Sequence, residues 1–221
     1  MPIRAVIFDR DGVLSDFDMR AVGDFILPLV PQSLDELSRH WIKWVKRVGP
    51  PDSVAVEDEY WRAFWDWIAD DLALDAASRA KLYRFQYLDY IRAYPDSRPA
   101  MLAAQHGGLQ VAVLSNFSLL SLDQSLERLG LADLVALAIS ATAIGVRKPE
   151  PAAFLTVTHA LGVAPAECLL FDDEPANVAA ARRLGMTAYL VDRATTVPAP
   201  GTVTDLSGLA DLLAHETNRR A

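Results

Sequence analysis

The order of apolar and polar positions along the chain predicts two alternating kinds of segment. Short apolar runs rich in β-branched residues are typical of buried strands. Such runs occur at 3–8, 111–114, 134–139, 169–171 and 187–191. Between them, apolar residues recur at spacings of three and four, as on one face of a helix. The helices predicted in this way are 98–106, 119–129, 152–161, 176–184 and 207–215. Strands that alternate with helices predict an α/β fold with one parallel sheet.

The stretch between residues 18 and 94 has a different pattern, without alternation of period two. Ser33 followed by Glu36 has the spacing of a capping box, and Gly49-Pro50-Pro51 is a strong stop signal for the helix that follows Ser33. The predicted helices of this stretch are 18–30, 33–48, 57–69 and 75–93. Their aromatic residues lie at helical spacing, which favours a small helical bundle with its own core over a cofactor site.

Composition and net charge indicate a sizeable core and argue against some classes of function. The chain has 221 residues, of which 52% are apolar, so it can bury a sizeable core. Its formal net charge of −8 argues against nucleic acid as the main partner, because duplex binding relies on clustered Lys and Arg. The four histidines are scattered without the spacing of zinc ligands.

No apolar run approaches the roughly 20 residues that a membrane-spanning helix needs, so we expect no membrane partner. Asp9 and Asp11 interrupt the pattern of a signal peptide, which leads us to expect a cytoplasmic protein. The single cysteine, Cys168, lies in an apolar stretch and is interpreted as a core residue.

Polar residues follow the predicted strands at the points where those strands end. They are Asp9 and Asp11, then Ser115 and Asn116, then Lys148 before a helix, and finally Asp172 and Asp173. Ligands of parallel sheets bind beyond the carboxyl ends of the strands, so we expect these groups to share one crevice. Neighbouring carboxylates repel each other, and a bound cation such as Mg²⁺ would compensate their charge.

These groups suit transfer of a phosphoryl group to a carboxylate. One carboxylate can attack phosphorus, and a neighbouring acid can protonate the leaving alcohol and later deprotonate water. A metal ion and a lysine can neutralise charge on the transferring oxygens.

Four motifs, in this order, resemble those of the haloacid dehalogenase-like (HAD) hydrolase superfamily, which consists mostly of Mg²⁺-dependent phosphatases. They are Asp9-x-Asp11-Gly-Val-Leu, Leu114-Ser115-Asn116, Arg147-Lys148-Pro149 and Phe171-Asp172-Asp173-Glu-Pro-Ala-Asn177. The resemblance covers nearly the whole chain.

The resemblance implies a role for each motif residue. Asp9 would be the nucleophile and a metal ligand, and Asp11 would be the general acid and base and would bind the metal through its carbonyl oxygen. Phosphate would be held by Ser115, Asn116 and Lys148. Asp173 would be the main carboxylate ligand of the fourth motif, and Asp172 a second or outer-sphere ligand. Asn177 stands where the superfamily often has a further aspartate.

The resemblance also implies a domain organisation. We expect a Rossmann-like three-layer core with a parallel sheet, formed by residues 1–16 and 95–221. An inserted helical-bundle cap of the C1 type would cover residues 17–94. The hinges of this cap would lie near 15–17 and 94–97.

The expected function is Mg²⁺-dependent hydrolysis of a small phosphorylated metabolite through an aspartyl-phosphate intermediate. A 2-haloacid dehalogenase would use the same nucleophile and a similar cap, but Asp11 and the Asp172–Asp173 pair argue against it because they imply a metal. A phosphomutase of the β-phosphoglucomutase kind would share core and cap, and the motifs do not separate it from a phosphatase. A non-catalytic binding domain is disfavoured because every expected catalytic side chain is present. The oligomeric state stays open.

Overall fold

The computed structural model describes residues 2–197 and 199–220. The strands in this part of the chain are β1 (Ala5–Phe8), β2 (Ser15–Phe17), β3 (Ile91–Ala93), β4 (Gln110–Ser115), β5 (Leu137–Ser140), β6 (Cys168–Asp172), β7 (Thr187–Val191) and β8 (Thr202–Val203). Six of them form one parallel sheet in the order β5-β4-β1-β6-β7-β8. The other two, β2 and β3, form a separate antiparallel pair.

Helices connect these strands. They are α1 (Met19–Ile26), α2 (Leu34–Val48), α3 (Glu57–Asp71), α4 (Ala76–Leu82), α5 (Ser97–His106), α6 (Leu122–Arg128), α7 (Pro151–Leu161), α8 (Pro175–Arg183) and α9 (Leu209–Arg220). Short 3₁₀ turns lie at Val54–Val56, Tyr87–Tyr90, Ala132–Leu134 and Pro165–Glu167. None of the helices described is both long and apolar enough to cross a membrane.

The large sheet is buried on both faces. Along β1, Val6 and Phe8 belong to a core shared with α5, α6 and α9, whereas Ala5 and Ile7 belong to a core shared with α7 and α8. Successive side chains of a strand point to opposite faces, so a strand covered on both faces needs a continuous apolar run. The predicted three-layer α/β core is confirmed.

Helices α1 to α4, between β2 and β3, share a third core that is rich in aromatic side chains. Trp41 stacks on Trp61 with ring centroids 4.3 Å apart, and Phe64 meets the Trp41 ring edge-on at 5.1 Å. The capping box is present, because Ser33 Oγ accepts from the Glu36 N–H while the Glu36 carboxylate accepts from the Ser33 N–H. Local sequence signals therefore place α2 and α3 close to their observed bounds, whereas the first predicted helix, 18–30, ends at Ile26.

The predicted helix over 75–93 is wrong beyond Leu82. The chain continues through a 3₁₀ turn into β3, which pairs with β2 so that Ser15 lies opposite Ala93. The hydrogen-bond partner of this strand is distant in sequence, so a local pattern of apolar spacing does not reveal it. Strand β8 was also not predicted, since its two residues are too few to give a periodic signal.

Candidate active site

The loop after β1 brings two acidic segments together. Asp9 continues the pairing of β1 with β6, because its N–H donates to the Phe171 carbonyl over 2.9 Å. Gly12 has φ +74°, and a Cβ at this position would lie 2.2 Å from Asp173 Oδ2. Glycine is therefore required here both for the left-handed backbone and for the close approach of the Asp173 carboxylate.

Lys148 is buried between two carboxylates. Its Nζ lies 2.8 Å from Asp9 Oδ2 and 2.7 Å from Asp172 Oδ2. The backbone of Lys148 is held by the side-chain amide of Asn116, which donates to the Lys148 carbonyl over 2.9 Å and accepts from its N–H over 2.8 Å. Asn116 thus fixes the position of Lys148 through its amide.

Asp172 is fully enclosed by hydrogen-bond donors. Its Oδ1 accepts from the Glu174 N–H over 3.0 Å and from Asn177 Nδ2 over 2.9 Å, while its Oδ2 faces Lys148. Asn177 in this position therefore orients a carboxylate. Asp172 in turn orients the lysine.

Asp9, Asp172 and Asp173 each offer one carboxylate oxygen, and these three oxygens lie within 4.8 Å of one another. Burial, together with the neighbouring Asp172, raises the pKa of Asp9 to about 7 even though Lys148 opposes the shift. Burial and Asp172 also raise the pKa of Asp173 to about 6. Three carboxylates face one ammonium group, so this cluster has the charge and the oxygen ligands that fit a divalent cation such as Mg²⁺.

The carboxylate of Asp11 is turned toward Arg10 and lies outside this cluster. Arg10 Nε donates to Oδ1 over 3.0 Å and Nη2 to Oδ2 over 2.8 Å, a two-point contact that fixes the carboxylate plane. The guanidinium is buried, donates to Ser125 Oγ over 3.0 Å and lies 4.1 Å from the centre of the Phe117 ring. Arg10 therefore sets the orientation of the Asp11 carboxylate in this structure.

A cavity of about 450 Å³ joins these groups. Its wall contains Asp9, Asp11, Ser115, Asn116, Arg147, Lys148, Pro149, Asp173, Glu174, Ala176 and Asn177. Every site residue predicted from the sequence borders this cavity except Asp172, which lies behind Lys148. The convergence follows from the topology, because β1, β4 and β6 are adjacent and parallel.

Arg193 holds the loop after β1 in place through that loop's backbone carbonyls. Sequence patterns did not reveal this residue. Its guanidinium donates to the carbonyls of Gly12 (3.2 Å) and Val13 (2.5 Å), pairs with Asp96 over 3.1 Å and lies over the Tyr94 ring at 3.7 Å. It stands in a loop after β7, where an isolated charged residue gives no local signal of such a role.

Known proteins are similar to this chain in sequence and in fold. The model of the haloacid dehalogenase-like hydrolase family matches residues 3–185. Phosphatase MT3486 of Mycobacterium tuberculosis (strain CDC 1551 / Oshkosh) is 40% identical over 214 residues, which cover 96% of this chain and 98% of that protein. The (S)-2-haloacid dehalogenase of Xanthobacter autotrophicus is 26% identical over 200 residues, covering 86% of this chain and 76% of that protein.

The fold is found again in the crystal structure of a HAD phosphatase from Thermococcus onnurineus. The TM-score is 0.64 at 24% identity, with 97% of this chain and 100% of that chain covered. The family match over residues 3–185 and the 40% identical relative agree with the order of the four motifs. The chain therefore belongs to the haloacid dehalogenase-like hydrolase family, and it is a hydrolase.

Proposed function

We propose that this hydrolase is a Mg²⁺-dependent phosphatase that cleaves a small phosphomonoester through an aspartyl phosphate on Asp9. The observation that carries the proposal is the placement of Asp9. Its carboxylate lies 2.8 Å from the Lys148 ammonium, in a cavity that Asp11 and Asp173 also line. The name of the 40% identical relative, a phosphatase, supports the same reaction.

In the first step the Asp9 carboxylate attacks phosphorus, and the bond from phosphorus to the ester oxygen breaks. Asp11 donates a proton to the leaving alcohol, which requires its carboxylate to be protonated and turned away from Arg10. In the second step Asp11 takes a proton from water, the water oxygen attacks phosphorus, and inorganic phosphate leaves the regenerated Asp9 carboxylate. Each residue thus returns to its starting state.

The other residues of the cavity bind charge. The Lys148 ammonium and the Ser115 hydroxyl hold phosphoryl oxygens, with Asn116 and Asp172 keeping Lys148 in place. Mg²⁺, bound by Asp9, Asp173 and the Asp11 carbonyl and by Asp172 directly or through water, would supply further positive charge to those oxygens.

We assign residues 17–94 to a cap domain and residues 1–16 and 95–221 to the core domain. Two observations support this division. Helices α1–α4 have a separate aromatic core, and β2 pairs with β3 where the chain enters and leaves residues 17–94. Glu57 on α3 accepts from the N–H groups of Leu120 and Ser121 over 2.7 and 2.9 Å. These bonds hold the cap against the segment after β4, an arrangement that excludes water from a reacting phosphate.

A 2-haloacid dehalogenase is the second candidate, favoured by the dehalogenase relative. The carboxylate cluster argues against it, because displacement of a halide needs neither a divalent cation nor an acid such as Asp11. A phosphomutase would share the whole site and differ only in what the cap admits.

The test is the hydrolysis of p-nitrophenyl phosphate with and without Mg²⁺, for the wild type and for Asp9→Asn. Loss of the nucleophile should lower kcat by about a thousandfold or more. Asp211→Asn, an exposed aspartate on α9, is the matched control and should keep wild-type activity. A wild type without phosphate release, or an active Asp9→Asn, contradicts the proposal. Release of chloride from 2-chloropropionate without added metal would establish the dehalogenase instead.

A further inference from the structure

A second cavity, of about 460 Å³, adjoins the site cavity. Asp11 and Asn116 line both cavities, so a group attached to the phosphoryl oxygen that leaves toward Asp11 would extend into the second one. We propose that this second cavity, here called the aromatic cavity, binds the alcohol part of the substrate, and that this alcohol is uncharged, apolar and at least the size of an aromatic ring. The inference rests on the proposed phosphatase function.

The wall of the aromatic cavity is apolar and is built mainly by the cap. Its aromatic members include Trp41, Trp61, Phe64, Trp65 and Phe85. The Trp61 and Phe85 rings meet edge-on at 5.9 Å, as do those of Trp65 and Phe85 at 5.7 Å. Such contacts fix the ring planes, so the wall is a preformed surface for another flat apolar group.

Four polar side chains of the wall, Arg10, Asp11, Tyr87 and Asn116, are engaged with other protein groups in this structure. Arg10 binds the Asp11 carboxylate at two points, and the Asn116 amide binds the backbone of Lys148. The Tyr87 hydroxyl lies 3.0 Å from Ser121 Oγ. The remaining polar side-chain groups of the wall are indole N–H groups, among them that of Trp65, which has no hydrogen-bond partner among the described residues, and the Ser38 and Ser118 hydroxyls, so the substrate would find few hydrogen-bonding groups there.

The charge of the substrate alcohol should discriminate most strongly between possible substrates of the aromatic cavity. Arg10 is the single cation among the described residues that line the aromatic cavity. Its side chain is only 4% exposed, and Ser125 Oγ and the Phe117 ring hold the guanidinium whichever way Asp11 is turned. A carboxylate or a second phosphate on the substrate would lose its hydration there without a free cation to compensate it. A polyhydroxylated sugar would lose its hydrogen bonds to water and find few protein groups to replace them. The cavity volume of about 460 Å³ lies in the range of small-molecule sites.

The first experiment compares kcat/KM for 3-phenylpropyl phosphate, 4-phosphonooxybutanoate and glycerol 1-phosphate with Mg²⁺. All three esters release a primary alcohol, so they differ mainly in the group that enters the aromatic cavity. We expect the phenylpropyl ester to be preferred over each of the others by about tenfold or more, because even one methylene in an apolar site changes kcat/KM by about that factor. Equal values, or a preference for either polar ester, overturn the inference while leaving the phosphatase in place.

A change of charge at the cavity wall gives the second experiment. Ser38 is an exposed residue of α2 that lines the aromatic cavity, and Ile42, one turn later on the same helix, is 46% exposed and does not line it. Ser38→Arg should lower the preference for the phenylpropyl ester over the carboxylate ester by about fivefold, the effect of one new ion pair. Ile42→Arg adds the same charge outside the wall and should keep the ratio of the wild type. An unchanged ratio in Ser38→Arg overturns the inference.

A binding measurement separates the inference from the proposed function. Quenching of tryptophan fluorescence by 3-phenylpropan-1-ol should saturate, since Trp41, Trp61 and Trp65 line the cavity, and 4-hydroxybutanoate should give no saturable quenching. Saturable binding of the phenyl alcohol without hydrolysis of any ester would refute the phosphatase and uphold the apolar preference of the cavity. Absence of saturable binding overturns that preference, whatever the outcome of hydrolysis.

Discussion

Replacement of Gly12 by alanine tests how the two acidic loops share space. Gly12 has φ +74°, and an added Cβ would lie 2.2 Å from Asp173 Oδ2 and 2.6 Å from its Cγ. Ordinary contact begins near 3.4 Å, so the Asp173 carboxylate must retreat by about 1.2 Å. Gly162 provides the matched control, because its φ is +65° and an added Cβ there would meet no atom within 4 Å.

The two variants share one energetic cost and differ in another. A left-handed alanine costs about 1–2 kcal/mol, which we expect for Gly162→Ala. Gly12→Ala adds about 0.5–1.5 kcal/mol for the displaced Asp173 rotamer. At about 2–4 °C per kcal/mol for a chain of this size, the Tm should fall by about 2–8 °C in Gly162→Ala and by a few degrees more in Gly12→Ala.

The decisive difference lies in the metal and in activity. A displacement of about 1 Å at a positioned group lowers rates by about a hundredfold, so Gly12→Ala should lose about that factor in Mg²⁺-dependent hydrolysis. It should also lose most of the rise in Tm that Mg²⁺ gives the wild type, while Gly162→Ala should keep both properties. Calorimetry across a Mg²⁺ titration and the p-nitrophenyl phosphate assay measure these effects. Equal Mg²⁺ responses in the two variants would refute the close approach of Gly12 and Asp173 as the reason for this glycine.

Two further predictions concern the contact of Glu57 with the segment after β4 and the dependence of stability on pH. Glu57→Ala should destabilise the fold by about 2–4 kcal/mol in urea unfolding, because the partly buried N–H of Leu120 and the buried N–H of Ser121 lose a charged acceptor. Glu57→Gln keeps an oxygen there and should cost clearly less. Without metal, the raised pKa values of Asp9 (about 7) and Asp173 (about 6) mean that the folded state holds extra protons, so stability should fall as pH rises from about 4 to 7. Mg²⁺ needs the ionised carboxylates, so its stabilising effect on Tm should be larger at pH 8 than at pH 5.5; the opposite order would contradict the raised pKa values.

The sequence alone determined the core fold and the composition of the site. Continuous apolar runs such as β1 identify strands buried on both faces, and their alternation with helices leaves a parallel sheet as the consistent arrangement. Because parallel strands end at one edge, Asp9, Ser115 and Asp172 converge wherever the sheet forms. The capping box at Ser33 was predictable for a similar reason, since all of its partners lie within four residues.

Tertiary structure decided the features whose partners are distant in sequence. Strand β3 forms because it pairs with β2, a partner distant in sequence. Local apolar spacing carries no signal of that pairing and wrongly predicted a helix there. The two-point contact of Arg10 with Asp11 depends on Ser125 and Phe117, which hold the guanidinium from another part of the chain.

Partners that are distant in sequence also determine what each residue of the site contacts. Sequence identified Asn116 and Lys148 as polar residues of one edge, but the bonds from the Asn116 amide to the Lys148 backbone join residues 32 positions apart. The aromatic cavity likewise arises only when helices α1–α3 pack beside Asp11. Local patterns determine which side chains are available, and the distances that long-range packing sets determine what each of them contacts.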